Sequence, residues 1–315
     1  MRLAVPEALR QMIPARVLDS YQPVWYGDFE DALRVAPAVE TMWLRPADIT
    51  LAQGTELIAR ASKLKWLHLS RVGLDILPLD EMAKRNIVLS NGRGLTSDAI
   101  AEHVIMCMFA LRRGLPALLS AQMQTNWTPG DGRGDLLKGS VALVLGHGNV
   151  GRAVAERARA LGVKVTSVRR QATDGGDDVL AGESWKDHLA TVDVLVLALP
   201  LTAATRNLVG RDELSRLKPS AIVINVARGE ILDEAFLAES IREGRLGGAA
   251  LDCFQEEPLP ASSPLWKLPN TIITPHIAWL DSNFVGAEIQ LFDENAGCYS
   301  HGRPLRNVVD PGAGY

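Results

Sequence analysis

Val141-Ala142-Leu143-Val144-Leu145 runs directly into Gly146-His147-Gly148-Asn149-Val150-Gly151. A short run that is apolar on both faces reads as a buried strand. In the stretch that follows, Val150, Val154, Ala158 and Leu161 keep to one face, which reads as a helix. A second apolar run, Val163–Val168, completes a strand–turn–helix–strand unit. In that setting the three glycines, spaced G-x-G-x-x-G, have separate uses. Gly146 permits the tight turn, Gly148 lets the backbone approach a pyrophosphate, and Gly151 lets helix and strand pack closely. The helix N-terminus then offers N–H groups and partial positive charge to phosphates. The unit is therefore expected to bind a nicotinamide dinucleotide in the Rossmann manner, on Gly146, His147, Gly148, Asn149, Val150 and Gly151. His147 itself reads as a solvent-side residue of the turn.

The end of the second strand bears on which dinucleotide. An NAD site normally carries Asp or Glu there, bonded to the ribose 2′-hydroxyl. This chain reads Lys164-Val165-Thr166-Ser167-Val168-Arg169-Arg170, with Arg169 at the deciding position. A guanidinium binds a 2′-phosphate bidentately, where an acidic residue repels it. We therefore expect NADP(H) to be preferred, with NAD(H) still accommodated, and Arg170 and Ser167 as secondary contacts.

Outward from this unit the alternation continues. Val192–Leu199, Ala221–Asn225, Ala249–Leu251 and Thr271–Thr274 read as buried parallel strands. Leu232–Glu243 reads as a helix with Asp233 as N-cap and Gly244 as its stop. Such alternation implies right-handed crossovers and a doubly wound sheet. The first 95 or so residues alternate more weakly, with runs at Thr41–Leu44, Leu64–Leu69 and Ile87–Leu89 between helix-like Leu51–Ala61 and Leu77–Ala83. They form a smaller α/β unit. Between the units, Ser97-Asp98-Ala99-Ile100-Ala101-Glu102 opens a long apolar helix through Leu111, with Ser97 or Asp98 expected as N-cap and Glu102 in the first turn. Thr173–Gly182 and Asp310–Tyr315 are the loosest stretches.

Composition narrows the function classes. A hydrophobic share of 47% and a charged share of 22% are those of a globular protein. A net charge of −4 offers no basic field for nucleic acid or an anionic membrane, and neither partner is expected. Cys107, Cys253 and Cys298 are too scattered for a disulfide framework or a CxxC metal pattern, which suits a reducing cytosol. The longest apolar runs are about eight residues, against the ~20 that span a bilayer. Met1–Glu7 has no apolar core of an export signal, so a cytoplasmic location is expected. No metal is expected.

Four further stretches follow the glycine turn in order: Leu199-Pro200-Leu201-Thr202-Ala203-Ala204-Thr205-Arg206, Asn225-Val226-Ala227-Arg228-Gly229-Glu230, Ala250-Leu251-Asp252-Cys253-Phe254-Gln255-Glu256-Glu257-Pro258 and Thr274-Pro275-His276-Ile277-Ala278. With the turn, they resemble the D-isomer-specific 2-hydroxyacid dehydrogenase family over nearly the whole chain, in its NADP-preferring, glyoxylate/hydroxypyruvate reductase-like form. The resemblance implies an oxidoreductase moving a hydride between NADP(H) and a 2-keto or D-2-hydroxy acid. Arg228, Glu257 and His276 would be its catalytic set, at intervals of 29 and 19 residues that look like the family's. It also implies that Leu199, Pro200, Thr205, Val226, Ala227, Arg228 and His276 line the cofactor. Asp252 would hold the nicotinamide carboxamide, although it also reads as a strand-end cap.

The chemistry asks for those residue types. Keto-acid reduction needs a carboxylate anchor, a donor to the ketone and a proton for the alkoxide. Arg228 follows an apolar strand, at the edge where open α/β sheets bind ligands, and its fork suits a carboxylate. His276, also at a strand end, can give or take a proton near neutrality. Glu257 would orient the imidazole and favour its protonated form. His68, His103, His188 and His301 match no motif and read as structural or surface residues.

The resemblance also implies a discontinuous, flavodoxin-like substrate domain, residues 1–97 joined by 284–315, beside a Rossmann domain of 98–283. A cleft between them would close on the substrate, and the chain would form a homodimer using the helix at Ala99–Leu111. In the first domain Leu69-Ser70-Arg71-Val72-Gly73-Leu74-Asp75 matches a glycine turn that presents N–H groups to the substrate carboxylate, making Arg71, Val72 and Gly73 substrate contacts. The continuation Asp75-Ile76-Leu77-Pro78 keeps the family pattern only in part. Ala278-Trp279-Leu280 departs from the usual small residues. Trp279 either lines the site and favours an apolar or aromatic R-group, or fills space. Glyoxylate, hydroxypyruvate and bulkier 2-keto acids all fit. Trp279 also resembles a corepressor-like branch, so a dinucleotide-sensing interaction protein with little turnover is the alternative function.

Overall fold

The computed structural model describes residues 1–45, 49–74, 76–127, 134–170 and 178–310. Asp75, most of the loose stretch before Val179, and the last five residues lie outside them. By compactness the chain divides into Met1–Leu95 with Ser282–Tyr315, and Thr96–Asp281.

The first unit contains β1 (Arg2–Pro6), α1 (Ala15–Leu18), β2 (Gln22–Tyr26), α2 (Phe29–Val35), β3 (Thr41–Leu44), α3 (Leu51–Arg60), β4 (Trp66–Leu69), α4 (Leu79–Lys84) and β5 (Val88–Asn91). Among the described residues its sheet is wholly parallel, in the flavodoxin-like order β2-β1-β3-β4-β5. The start of α3 is specified locally by a capping box between Thr50 and Gln53. Every residue of β3 and β4 is buried, because both sheet faces are covered. Leu57, Ile58 and Met82 pack on one side, Trp43, Trp66 and Phe292 on the other.

Two of these strands depart from expectation. β1 and β2 were not legible as strands: β2 is an edge strand carrying Pro23, with its first residues exposed, so it lacks the buried apolar run that marks its neighbours. β1 stands at the start of the chain and ends at Pro6.

The second unit contains α5 (Ser97–Arg112), α6 (Leu115–Met123), β6 (Val141–Leu145), α7 (Asn149–Ala160), β7 (Lys164–Arg169), β8 (Val179–Ala181), β9 (Val194–Leu197), α8 (Arg211–Ser215), β10 (Ile222–Asn225), α9 (Glu234–Arg242), β11 (Gly248–Leu251) and β12 (Thr271–Ile273). Its parallel sheet runs β12-β11-β10-β9-β6-β7-β8, the doubly wound order with its switch point between β6 and β9. The register pairs Leu145 with Leu197, Leu197 with Asn225, Asn225 with Leu251, and Leu251 with Ile273. Five strands therefore end level. Gly146, Ala198, Val226, Asp252 and Thr274 stand side by side along one edge, at the ~4.8 Å spacing of a sheet. The chain then returns to the first unit through α10 (Phe284–Ser300). Its tail pairs with β5, where the Val309 N–H donates to Leu89 and the Asn91 N–H to Asn307.

Three local expectations are corrected. β8 lies within the stretch read as loose; it is an edge strand of three residues, visible only through its pairing with Ser167–Arg169. The N-cap of α5 is Thr96, with no side-chain cap bond, so Glu102 falls in the second turn. Asp98 occupies the first turn and pairs with Arg157 at 2.7 Å. Leu161 lies past the end of α7 and is 38% exposed; Gly151, Val154, Ala155 and Ala158 form the buried stripe. No single described helix is long and apolar enough to cross a membrane.

Candidate active site

The glycine turn sits at the switch point. Gly146 has φ +116°, and a Cβ there would lie 2.2 Å from the Ala198 carbonyl oxygen, so only glycine lets the turn pass the end of β9. A Cβ on Gly151 would lie 1.9 Å from the Gly146 carbonyl oxygen. Around Gly148 a Cβ would meet nothing, and α7 starts there with no side-chain cap. First-turn N–H groups that no described residue claims, beside space that no described residue fills, are what a pyrophosphate requires, and the turn fits that group. The Asn149 side chain accepts from Arg152 at 2.7 Å.

His147 is half-buried rather than a plain surface residue, and its Nδ1 has no hydrogen-bond partner among the described residues. Burial, with Arg169, Arg152 and Arg159 nearby, holds its imidazole below the ordinary histidine range. Arg169 is thus placed beside the turn, in a cluster of positive charge. It is half-buried and Arg170 is exposed, whereas Ser167 is wholly buried in β7.

Next along the edge, the loop after β9 is closed on itself. Thr205 Oγ1 accepts from the Thr202 N–H and donates to the Pro200 carbonyl, both at 2.7 Å. Leu199 packs against the adjoining core. The loop after β10 is braced by Asn225, which is fully buried. Its amide donates to the Arg228 carbonyl and accepts from the Ala227 N–H, both at 3.0 Å. This brace shapes Val226–Arg228. Arg228 itself is half-buried, with Nη1 donating to the Ala227 carbonyl at 2.7 Å.

Asp252, 3% exposed, takes three bonds from the loop after β12. Oδ1 accepts from Thr274 Oγ1 at 2.6 Å and from the Ile277 N–H at 2.9 Å; Oδ2 accepts from the Ala278 N–H at 2.9 Å. Asp252 therefore performs the strand-end capping anticipated for it. His276 lies within the stapled segment, in the left-handed region at φ +55°. Its Nδ1 lies 2.8 Å from Oε2 of Glu257, whose Oε1 accepts from the Phe254 N–H at 2.9 Å. Burial raises the Glu257 carboxyl, but the bonds from His276 and Phe254, with Arg228 close by, bring it below the usual carboxylate range. The Trp279 indole donates to the His276 carbonyl at 2.8 Å, so it too supports this loop.

In the first unit, Arg71, Val72 and Gly73 follow β4. The Gly92 N–H donates to the Arg71 carbonyl and the Asn91 side chain to that of Val72, at 3.4 and 3.3 Å. Elsewhere in this unit, fully buried Glu288 of α10 pairs with Arg45 at the end of β3, 3.1 Å.

Of the four motif-free histidines, two are buried or half-buried and two are at the surface. His68 is buried, bonded to Ser90 Oγ at 2.9 Å, and pushed down to about 4 by burial. His103 meets Thr274 Oγ1 at 3.4 Å; His188 and His301 are exposed. Sequence reading missed the Asn225 brace, the Arg45–Glu288 pair and the three-donor staple on Asp252. Asn225 carried a signal as the first residue of the arginine motif and Asp252 as a strand-end cap, whereas Arg45 and Glu288 stand in no motif.

Residues 105–278 match the family model of the D-isomer specific 2-hydroxyacid dehydrogenase, NAD binding domain. The chain is 30% identical over 313 residues to a glycerate dehydrogenase of Methylorubrum extorquens, covering 96% of this chain and 97% of that one. It is 30% identical over 321 residues to a glyoxylate reductase of Aeropyrum pernix, covering 98% and 94%. A crystal structure of a D-isomer specific 2-hydroxyacid dehydrogenase family protein from Aeromonas salmonicida superposes with a TM-score of 0.83 at 31% identity, over 98% of each chain. On the fold, the glycine turn and these likenesses, the chain belongs to the D-isomer-specific 2-hydroxyacid dehydrogenase family and is an NAD(P)-dependent oxidoreductase.

Proposed function

We propose that the protein is a 2-keto acid reductase, preferring NADP(H) and using His276 as its general acid, with Arg228 as the carboxylate anchor. The observation that carries this reading is the 2.8 Å contact between Glu257 Oε2 and His276 Nδ1. An ionised carboxylate only accepts, so the Nδ1 proton is committed to Glu257. Nε2, which takes no hydrogen bond from the described residues, is left to give a proton. A bound nicotinamide supplies the hydride to the ketone carbon. The chain supplies the rest. The Arg228 guanidinium holds the substrate carboxylate and donates to the ketone oxygen as charge grows on it. His276 delivers its Nε2 proton to that oxygen, while Glu257 stabilises the imidazolium before transfer. In the reverse direction neutral His276 takes the hydroxyl proton.

Val72 and Gly73, with Arg71, are the proposed backbone-side contacts to the carboxylate. A carboxylate has about four acceptor positions; Asp252 uses three on the loop after β12, leaving one for a carboxamide N–H. Arg169, beside the phosphate turn, and Arg170 support a 2′-phosphate contact and hence the NADP(H) preference. Glyoxylate, hydroxypyruvate and bulkier 2-keto acids are the proposed substrates. We further propose a cytoplasmic homodimer. Exposed Met106 and Phe109 of α5, Leu115, Leu118, Leu119 and Met123 of α6, and Trp127 support the dimer, since a monomer would leave them all in water.

The test is consumption of NADPH and NADH, followed by absorbance, with a panel of these keto acids. Turnover with at least one, faster with NADPH, is the expected result. Tight NADPH binding with no turnover on any of them would favour a dinucleotide sensor instead. Light scattering on the purified chain should give twice the monomer mass.

A further inference from the structure

The turn that carries Glu257 is held by a second carboxylate. Oε1 of Glu234, the first residue of α9, accepts from the Gln255 N–H at 2.7 Å. The Gln255 side chain donates in turn to the Leu232 carbonyl at 2.8 Å. One residue earlier, the Phe254 N–H donates to Glu257 at 2.9 Å. The Phe254–Gln255 peptide is also where the arginine loop rests. A Cβ on Gly229 would lie 1.9 Å from the Phe254 carbonyl carbon and 2.1 Å from the Gln255 nitrogen. The residue after Arg228 therefore lays its backbone directly on this peptide. One peptide joins the strand end bearing Arg228 to the turn bearing Glu257, and Glu234 anchors its N–H.

The anchor sits in an unfavourable place for a carboxylate. Glu234 is half-buried, and burial, with Glu230 and Glu257 nearby, pushes its carboxyl up to about 6 against the bond from Gln255. A residue needed only to begin a helix would do so more easily in water.

The geometry points to Glu234 as a positioning residue that, by holding the Phe254–Gln255 peptide, sets the placement of Arg228 relative to the Glu257–His276 pair. This rests on the roles proposed above for those three residues.

Two variants separate the bond from the fold. Glu234→Gln keeps an acceptor oxygen at the same reach, and Glu234→Ala removes it. In Glu234→Ala, kcat should fall about tenfold or more and KM for the keto acid should rise, since a bond to a charged acceptor is lost. The dissociation constant for NADPH should stay within about twofold, and Glu234→Gln should lie within about threefold of the wild type. A second readout needs no turnover. The low-field proton resonance of His276 Nδ1–H, bonded to Glu257, should persist in the wild type and Glu234→Gln and be lost or displaced in Glu234→Ala. If the wild type reduces no keto acid, the reductase reading fails while the resonance still decides the positioning role. If Glu234→Ala does not fold, Glu234→Asp, one methylene too short, takes its place in the same comparison. The proposal is overturned if the truncated variant keeps kcat and the resonance while only its Tm falls, or if Glu234→Gln is impaired as severely.

Discussion

Oε2 of Glu257 lies 2.8 Å from Nδ1 of His276, a contact between residues 19 apart in the chain and carried on different loops. The bond fixes which imidazole nitrogen holds its proton permanently and which is available for exchange. Glu257 is held below the ordinary carboxylate value of 4.5. A depressed acid contributes stability above its unfolded value and loses it as pH falls through the lower folded value. The pair should therefore survive acidification to below pH 4.5.

Replacing either member should show this. His276→Gln should lower kcat by ~10²–10⁴, the usual contribution of a positioned acid or base, and change the cofactor dissociation constant far less. Glu257→Gln should lower kcat by ~10² and remove its share of the stability lost in acid. Steady-state kinetics and thermal melts from pH 3 to 7 check both; near-normal turnover in His276→Gln would end the proton-donor assignment.

Arg169 stands close enough to His147 to depress its imidazole. Its charge therefore reaches the phosphate turn. The double variant Arg169→Asp, Arg170→Ser should weaken NADPH binding by ~10–100-fold, as expected when a charged hydrogen bond is removed, and leave NADH nearly unaffected. Fluorescence titration with both cofactors measures the ratio, and equal losses would remove the 2′-phosphate contact.

Asp252 stabilises the His276 loop by accepting from two backbone N–H groups and one hydroxyl. Asp252→Ala strands these donors at ~1–3 kcal/mol each. Tm should fall by roughly 5–10 °C for a chain of this size. Turnover should fall further than cofactor affinity, because the left-handed backbone at His276 loses its support. An unchanged melting curve would contradict the stapling role.

His68 is fully buried, and its folded value of about 4 lies below the ordinary 6.5. Above pH 6.5 neither state binds the proton. Between 6.5 and about 4 only the unfolded chain does, so stability is lost as pH falls across that window. The total across that window is about 3 kcal/mol, at ~1.4 kcal/mol for each step of one in pH. His68→Gln should retain the bond to Ser90 and flatten the dependence of Tm on pH there.

The sequence by itself determined the doubly wound unit, because its strands are buried on both faces and each must be apolar throughout. It also determined the glycine turn, where Gly146 and Gly151 sit at backbone clearances of about 2 Å that no side chain fits. Arg228, Glu257 and His276 were legible because each stands in a motif at a strand end. Edge strands β2 and β8 were not, since half their surface faces water and their identity lies in the hydrogen bonds of a neighbour. Only the tertiary structure decided what braces the site. Asp252 could be read as a cofactor contact or a cap until its oxygens were seen on Thr274, Ile277 and Ala278. Glu234 and Glu288 stand in no motif. Their importance comes from burial and from partners 21 and 243 residues away, and no local pattern encodes a contact made at that separation.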